Sequence, residues 1–218
     1  MMFSVFTSLY AKESGDSEML DFAARQPKQY ASMMMDKEKN LWAHSYWVKS
    51  NRAFPGRDLF WGRGNGWVVC AFPMILDNIG LDHKEADEII NLFQKTSEAL
   101  LGCMRDDYTF GTLLKYKSYR ELSATALISA GWLHGIRRGY LDEKFIEPAI
   151  KAFEACINAM KENDRGIFMT EISGPTIPVP IFPKLGYTMV PRDKNWSYGV
   201  AALIFAAMEY KRYFTMDK

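Results

Sequence analysis

The sequence predicts an all-α protein in which helical hairpins are arranged as a toroid. Two observations support this prediction. Apolar residues recur with helical spacing in a series of segments, and loops that contain Gly, Pro, Asp or Asn separate those segments. The segments also alternate in character, because one is apolar almost all round and the next is charged on one face. This alternation is typical of an inner helix followed by an outer helix.

The bounds of the predicted helices follow from the periodicity of the apolar residues and from the capping residues at the helix starts. Asp82 is the expected N-cap of the fourth helix, and Asp142 is the expected N-cap of the sixth. Ser118 and Glu121 have the spacing of a capping box before the fifth helix. The predicted helices cover residues 2–14, 17–35, 64–79, 84–104, 121–139, 143–162 and 196–214.

Residues 165–193 do not continue the helical pattern. Five of the nine prolines fall within the 17 residues from Pro175 to Pro191, so no helix is expected to run through this segment. Its aromatic and β-branched residues argue against disorder, and a long ordered loop in a compact domain is usually functional. We expect residues 165–193 to form a proline-rich loop over one mouth of the toroid.

Composition narrows the possible classes of function. The 218 residues are 48% hydrophobic and 14% aromatic, which suits one domain over residues 1–218. The net charge is +1 and the basic residues are scattered, which excludes nucleic acid as the main partner. The three cysteines lie in apolar helical patterns and indicate no disulfide, metal site or cofactor. A signal-peptide pattern and a membrane-length apolar run are missing, so a cytoplasmic protein with no membrane partner is expected.

The run WGRGNGW, from Trp61 to Trp67, is the most informative motif in the chain. The planar guanidinium of Arg63 can bind a carboxylate through two parallel hydrogen bonds. The three glycines permit an irregular backbone, through which both indoles would line one cleft suited to an anionic sugar. The alternative is a glycine-rich helix start, in which Trp67 is buried in the core and Arg63 pairs with an acidic neighbour.

Five stretches of the sequence together resemble the unsaturated rhamnogalacturonyl hydrolases of glycoside hydrolase family 105, which are relatives of the family 88 unsaturated glucuronyl hydrolases. The resemblance covers nearly the whole chain, and WGRGNGW is its most specific part. The matching stretches are GDSEMLDFAARQ (15–26), LWAHSYW (41–47), WGRGNGW (61–67), ELSATA (121–126) and YGVAALIFAAMEY (198–210).

The resemblance implies an (α/α)6 barrel that removes an unsaturated uronic acid from the end of rhamnogalacturonan or pectin oligosaccharides. In this family an aspartic acid protonates the vinyl ether and directs water to C5, and the resulting hemiketal collapses to release the other sugar. The resemblance also implies that Trp61, Arg63, Asn65 and Trp67 line the sugar subsite, with Arg63 facing the uronate carboxylate.

Both catalytic aspartates of that family are missing from their expected positions. In the family, one aspartate is the last residue of the loop that matches LWAHSYW, and this chain has Trp47 at that position. The other aspartate would precede the helix that starts this chain. The catalytic residue is therefore unknown, and activity as an enzyme is left open. His44 and Asp58 are the candidate replacements. The alternatives are a structural hydrogen bond for His44, and for Asp58 a pairing with Arg57 or a role as a helix cap.

Three aromatic residues of the LWAHSYW loop are further candidates for substrate binding. His44, Tyr46 and Trp47 would stack on sugar faces or bond to hydroxyl groups, or would simply pack within the fold.

Seven helices are too few for a complete (α/α)6 barrel, so the resemblance implies an incomplete barrel that lacks its N-terminal helices. Exposed inner faces predict association, and a homodimer through those faces is one outcome. A truncated reading frame, a split gene and closure of the barrel by dimerisation are the explanations, of which truncation is favoured. The alternative functions are a catalytically inactive carbohydrate-binding or scaffold protein and a generic helical interaction module.

Overall fold

The computed structural model describes residues 2–56, 58–164 and 166–215. The all-α prediction is confirmed, although three short two-stranded antiparallel sheets that were not predicted join the helices. The helices are α1 (Met2–Ser14), α2 (Ser17–Met34), α3 (Gly62–Ile79), α4 (Ala86–Leu101), α5 (Leu122–Arg137), α6 (Ile146–Asn158), α7 (Leu185–Thr188) and α8 (Ser197–Thr215). The strands are β1 (Ser45–Trp47), β2 (Arg52–Phe54), β3 (Lys161–Asn163), β4 (Gly166–Phe168), β5 (Ile172–Ser173) and β6 (Arg192–Asp193).

The long helices form two rows. In the inner row α1 packs on α3, α3 on α5 and α5 on α8, while α2, α4 and α6 pack as outer partners of α1, α3 and α5. Almost every residue of α5 is buried, whereas α6 buries only one apolar stripe and exposes its charges. The predicted alternation of inner and outer helices is therefore confirmed. The first residues of α3, α5 and α8 follow loops that contribute to the site described below.

The core lies between the two rows, around large aromatic side chains from α3, α4 and α5. Phe72, Phe93 and Trp132 are fully buried there. Close approach of α5 to α3 depends on Gly131, because a Cβ atom at this position would lie 2.7 Å from the carbonyl oxygen of Val69. Burial of these apolar side chains is the main source of stability for the packing of the two rows of helices.

The two ends of the inner row expose apolar side chains. Phe3 and Phe6 on α1 are 86% and 67% exposed, and Ile204 and Met208 on α8 are 53% and 45% exposed. Within residues 2–56, 58–164 and 166–215 there is no substantial packing of α1 on α8 that would close the row. Over the same residues, no helix has both the length and the apolarity to cross a bilayer.

The predicted helix caps are partly wrong. Asp82 does not cap α4, which begins two residues later than expected and has no side-chain cap. Ser118 does not form a capping box, because Glu121 is itself the N-cap of α5 and accepts a hydrogen bond of 2.7 Å from the amide of Ala124. Asp142 does act as a cap, at the 3₁₀ turn that leads into α6.

The proline-rich loop contains a short helix that was not predicted. Helix α7 fits between Pro183 and Pro191, so it avoids the steric conflict that proline causes inside a helix. Strands β5 and β6 pair across this segment, and Arg165, with which the predicted loop begins, lies outside the described residues.

Candidate functional site

A cleft of about 400 Å³ opens beside the start of α3. Its walls come from α1, α2, α3 and the loop that precedes β1. Phe3, His44, Trp61, Gly64 and Trp67 are among the residues that line it. The two tryptophans of WGRGNGW and the histidine of LWAHSYW therefore meet in one cavity, although they come from different parts of the chain.

The glycines of WGRGNGW act through close packing rather than through an irregular backbone. Helix α3 is regular from Gly62 onward, with Trp61 as its N-cap, so the expected irregular entry is wrong. A Cβ atom on Gly62 would collide with the carbonyl oxygen of Gly111, and one on Gly64 would lie 2.7 Å from the ring of Trp61. The small surface of Gly64 lets Trp61 and Trp67 line the same cleft.

Arg63 is buried beneath this cleft and is not one of its lining residues. Its guanidinium donates hydrogen bonds of 2.9 Å to the carbonyl of Ser173 and 3.0 Å to the carbonyl of Gly174. It also lies 3.5 Å from the carboxylate of Glu121. The pairing of Arg63 with an acidic residue, which the sequence left open, is thus present. A contact between Arg63 and a substrate carboxylate stays a prediction.

Glu121 is a buried residue that the sequence identified only as a helix cap. It is 0% exposed, and it accepts hydrogen bonds from the hydroxyl of Ser123 at 2.8 Å and the amide of Ser173 at 3.1 Å, besides the amide that it caps. A buried carboxylate is tolerated only when such partners satisfy it. Glu121 and Arg63 therefore tie the start of α5 and the start of α3 to strand β5.

Aromatic rings cover the guanidinium of Arg63 and connect it to His44. The guanidinium lies 5.0 Å from the ring centre of Trp61 and 4.3 Å from that of Tyr198. The ring of Trp61 also stacks on His44, with 4.3 Å between ring centres. Nδ1 of His44 is 2.9 Å from the hydroxyl of Tyr187, which comes from α7 in the proline-rich loop. Tyr187 was not identified from the sequence.

The imidazole of His44 is neutral at pH 7. Burial, together with the smaller effect of the positive charge of Arg63, lowers the pKa of His44 to about 4. A neutral imidazole can orient a hydroxyl group through a ring nitrogen, but it is a poor proton donor. The interpretation of His44 as a replacement for the missing acid is therefore disfavoured near neutral pH.

The pKa of His44 can be measured directly by NMR. We expect the ring proton resonances of His44, assigned by comparison with His44→Gln, to titrate near pH 4 because burial opposes protonation. Since the pKa in the folded state is below the unfolded value, protonation favours unfolding. The contribution of His44 to stability is present above about pH 6.5 and is lost as the pH falls toward 4. A midpoint at or above 6.5 would contradict the described burial.

Tyr46 and Trp47 do not line this cleft. They belong to β1, which pairs with β2 in a hairpin. Trp47 stacks on Phe54 with 4.6 Å between ring centres, and the hydroxyl of Tyr46 donates to the side chain of Asn51. Both side chains are engaged within the hairpin, so a direct role in this cleft is not favoured for them.

Asn65 and Asp58 are also placed outside the cleft surface. Asn65 is buried, and its amide group bonds to the backbone amide of Trp42 at 2.8 Å and to its carbonyl at 3.0 Å. Asp58 forms an ion pair of 2.5 Å with Lys39, and the predicted partner Arg57 lies outside the described residues. Asn65 thus holds the loop before His44. In the part of the chain that the structure describes, no carboxylate lines the cleft.

The sequence model of Glycosyl Hydrolase Family 88 matches residues 1–214. The chain belongs to this family. Among curated proteins, this family 88 chain is 26% identical to an unsaturated 3S-rhamnoglycuronyl hydrolase of Alteromonas sp. The alignment of 202 residues covers 91% of the chain and 46% of that protein. It is 24% identical to the unsaturated rhamnogalacturonyl hydrolase YesR of Bacillus subtilis, over 94% of the chain and 57% of that protein.

The fold of the family 88 chain is that of a known hydrolase structure. A family 105 glycoside hydrolase from C. acetobutylicum superposes with a TM-score of 0.87 at 24% identity, over 96% of this chain and 62% of that structure. The helical fold expected from the resemblance is confirmed by this likeness. The chain spans about half the length of the curated relatives that it matches.

Proposed function

We propose that this chain binds the unsaturated uronic acid end of an oligosaccharide in the cleft beside Trp61, as part of a hydrolase that removes this sugar by hydration of its vinyl ether. The observation that carries the proposal is the meeting of Trp61, Trp67 and His44 in one cleft of a family 88 chain. The names of the two relatives support rhamnose-linked uronic acids, such as rhamnogalacturonan or pectin fragments, as the substrate class.

The chemistry of the cleft suits a sugar ring with a negative charge. Indole faces provide flat apolar surface for the ring, and a few polar groups fix its orientation. Because Nδ1 of His44 faces Tyr187, its Nε2 is the ring nitrogen left for a sugar hydroxyl. The guanidinium of Arg63 lies 5.0 Å from the ring centre of Trp61, which lines the cleft, so its positive charge would favour an anionic ligand there.

The proposed hydration also needs a carboxyl group whose pKa lies near the working pH. The described residues that line the cleft provide none, so in this proposal the acid comes from another position. Phe3 lines the cleft and also lies on the uncovered face of α1. A polypeptide that covers this face would therefore stand at the edge of the cleft.

Turnover of an unsaturated uronyl disaccharide tests the proposal. Hydration removes the C4–C5 double bond, so we expect the ultraviolet absorbance of the disaccharide to fall in the presence of the protein. A saturated disaccharide with the same second sugar is the control for non-specific changes. No fall in absorbance together with no binding of the unsaturated sugar would contradict the proposal.

Binding without turnover is the second candidate function, and the lack of a carboxylate among the described cleft residues favours it. In that case the disaccharide binds to the protein while its absorbance stays constant. Two measurements on the same sample therefore distinguish the two candidate functions. Calorimetry detects binding of the disaccharide, and absorbance detects its turnover.

We also propose that two copies of the chain associate through the exposed apolar faces at the ends of the inner row. Phe6 and Tyr10 on α1 are 67% and 53% exposed, and contiguous exposed apolar surface favours association. We expect the double substitution Phe6→Ser and Tyr10→Ser to shift the protein toward the monomer in light scattering after size-exclusion chromatography. The matched control is Val48→Ser, because Val48 is 82% exposed, more than either residue, and lies on the hairpin apart from these helices. An unchanged mass for the double variant would contradict this proposal.

A further inference from the structure

The buried contact between His44 and Tyr187 determines which ring nitrogen of His44 carries a proton. Nδ1 of His44 lies 2.9 Å from the hydroxyl oxygen of Tyr187, and Tyr187 is 0% exposed. A neutral imidazole has one N–H donor and one acceptor nitrogen, whereas a tyrosine hydroxyl both donates and accepts. The contact therefore allows two arrangements, in which the proton between the two groups belongs either to Nδ1 or to the hydroxyl.

The hydroxyl of Tyr187 has one acceptor within reach, which is Nδ1 of His44. In the parts of the chain that the structure describes, this hydroxyl forms no other hydrogen bond. Because Tyr187 is shielded from solvent, donation by Nδ1 would leave the O–H group of Tyr187 without an acceptor. Buried donors without a partner are rare in proteins, whereas acceptors with an unused lone pair are less so. Tyr187 therefore donates to Nδ1, and the proton of the neutral imidazole lies on Nε2.

Contacts on both sides hold the two rings in this arrangement. The ring of His44 is fixed by the stacking of Trp61. The backbone of Tyr187 is fixed by the hydroxyl of Tyr119, which donates a hydrogen bond of 3.0 Å to the carbonyl of Tyr187. The side chain of Tyr187 belongs to a buried apolar cluster with Leu113. The hydroxyl of Tyr187 therefore has a defined place beside Nδ1, although α7 has only four residues.

The other nitrogen of His44 is available to a ligand. His44 lines the cleft, and its Nε2 forms no hydrogen bond with any residue that the structure describes. With the proton on Nε2, the cleft presents an N–H donor, which selects an oxygen atom that accepts. With the proton on Nδ1, the cleft would present a lone pair, which selects a hydroxyl group that donates.

We propose that Tyr187 is a positioning residue that fixes the proton of His44 on Nε2, so that His44 donates a hydrogen bond to an oxygen atom of the bound uronic acid. This inference rests on the proposed function, and it adds the direction of the hydrogen bond at His44. Tyr187 is not among the residues that line the cleft, so it acts through His44 and does not touch the sugar.

Two-bond ¹H–¹⁵N NMR spectra of the protein labelled in histidine test the inference without a ligand. At pH 7 we expect His44 to show an unprotonated Nδ1 and a protonated Nε2, assigned by the loss of these signals in His44→Gln. Tyr187→Phe removes only the hydroxyl, and we expect its spectrum to show a mixture of both tautomers. The matched control is Tyr119→Phe, which removes a hydroxyl that bonds to the backbone of Tyr187 and is expected to retain the proton on Nε2. The spectrum of the unchanged protein identifies the tautomer even if Tyr187→Phe does not fold.

Calorimetry with an unsaturated uronyl disaccharide relates the tautomer to binding. We expect Tyr187→Phe to bind the disaccharide about 3- to 10-fold more weakly, because part of its population lacks the donor on Nε2 and this range is the contribution of one hydrogen bond. Tyr119→Phe is expected to bind within about 2-fold of the unchanged protein, since its donor on Nε2 is retained.

The outcomes separate this inference from the proposed function. A protonated Nδ1 in the unchanged protein, or an Nε2–H tautomer that persists alone in Tyr187→Phe, would overturn the inference and leave the proposed function standing. A protein that has the expected tautomer but does not bind the disaccharide would overturn the proposed function and, with it, the hydrogen bond from His44 to the sugar.

Discussion

Replacement of Arg63 by methionine is expected to lower the free energy of unfolding by about 3–5 kcal/mol, the range found when one partner of a buried ion pair is removed. Glu121 is fully buried and would lose its positive partner. The carbonyl groups of Ser173 and Gly174 would lose their donors as well. The reason for the large effect is that methionine cannot supply the charge or the hydrogen bonds that these buried groups need.

Urea unfolding followed by circular dichroism measures this effect. The matched control is Arg25→Met, because Arg25 is exposed on α2 and its loss should change stability by no more than about 0.5 kcal/mol. In a double-mutant cycle, Arg63→Met combined with Glu121→Leu is expected to be less destabilised than the sum of the single changes. Additive effects, or a loss below about 1 kcal/mol for Arg63→Met, would show that the pair does not support the site.

Replacement of Trp61 by alanine is expected to weaken binding of an unsaturated uronyl disaccharide by about 2–4 kcal/mol, or at least 30-fold. The indole is a wall of the cleft, the stacking partner of His44 and a cover for the guanidinium of Arg63. Its loss therefore removes contact area from the sugar and also frees two polar side chains that it holds in place.

Calorimetry with a disaccharide whose second sugar is neutral measures the effect of Trp61→Ala. Trp47→Ala is the matched control, because Trp47 packs on Phe54 in the hairpin and does not line the cleft. We expect this control to bind the neutral disaccharide as the unchanged protein does. Equal losses for both variants would mean that the sugar does not lie against Trp61.

The long helices could be predicted from the sequence because each carries its own periodic pattern. Helix α1 was expected at residues 2–14 and is observed at Met2–Ser14. The hairpin of β1 and β2 was missed, since strands of three residues are too short to show alternation. Helix α7 was missed because it has only four residues between two prolines.

Residue types of the candidate site could be predicted, but the burial of individual side chains could not. The sequence singled out Trp61, Arg63 and Trp67, and the structure places the two tryptophans in one cleft with Arg63 beneath them. The position of Arg63 depends on Glu121 and on the carbonyl of Ser173, which are distant in the sequence. No local pattern encodes such tertiary contacts. The contact of His44 with Tyr187 was missed for the same reason.

The most direct test of the central claim is the crystal structure of this protein in complex with an unsaturated uronyl disaccharide. We predict that the uronic acid ring lies in the cleft between Trp61 and Trp67, with one hydroxyl group on Nε2 of His44. A uronic acid ring bound elsewhere on the protein, with this cleft empty at a saturating concentration, would contradict the claim.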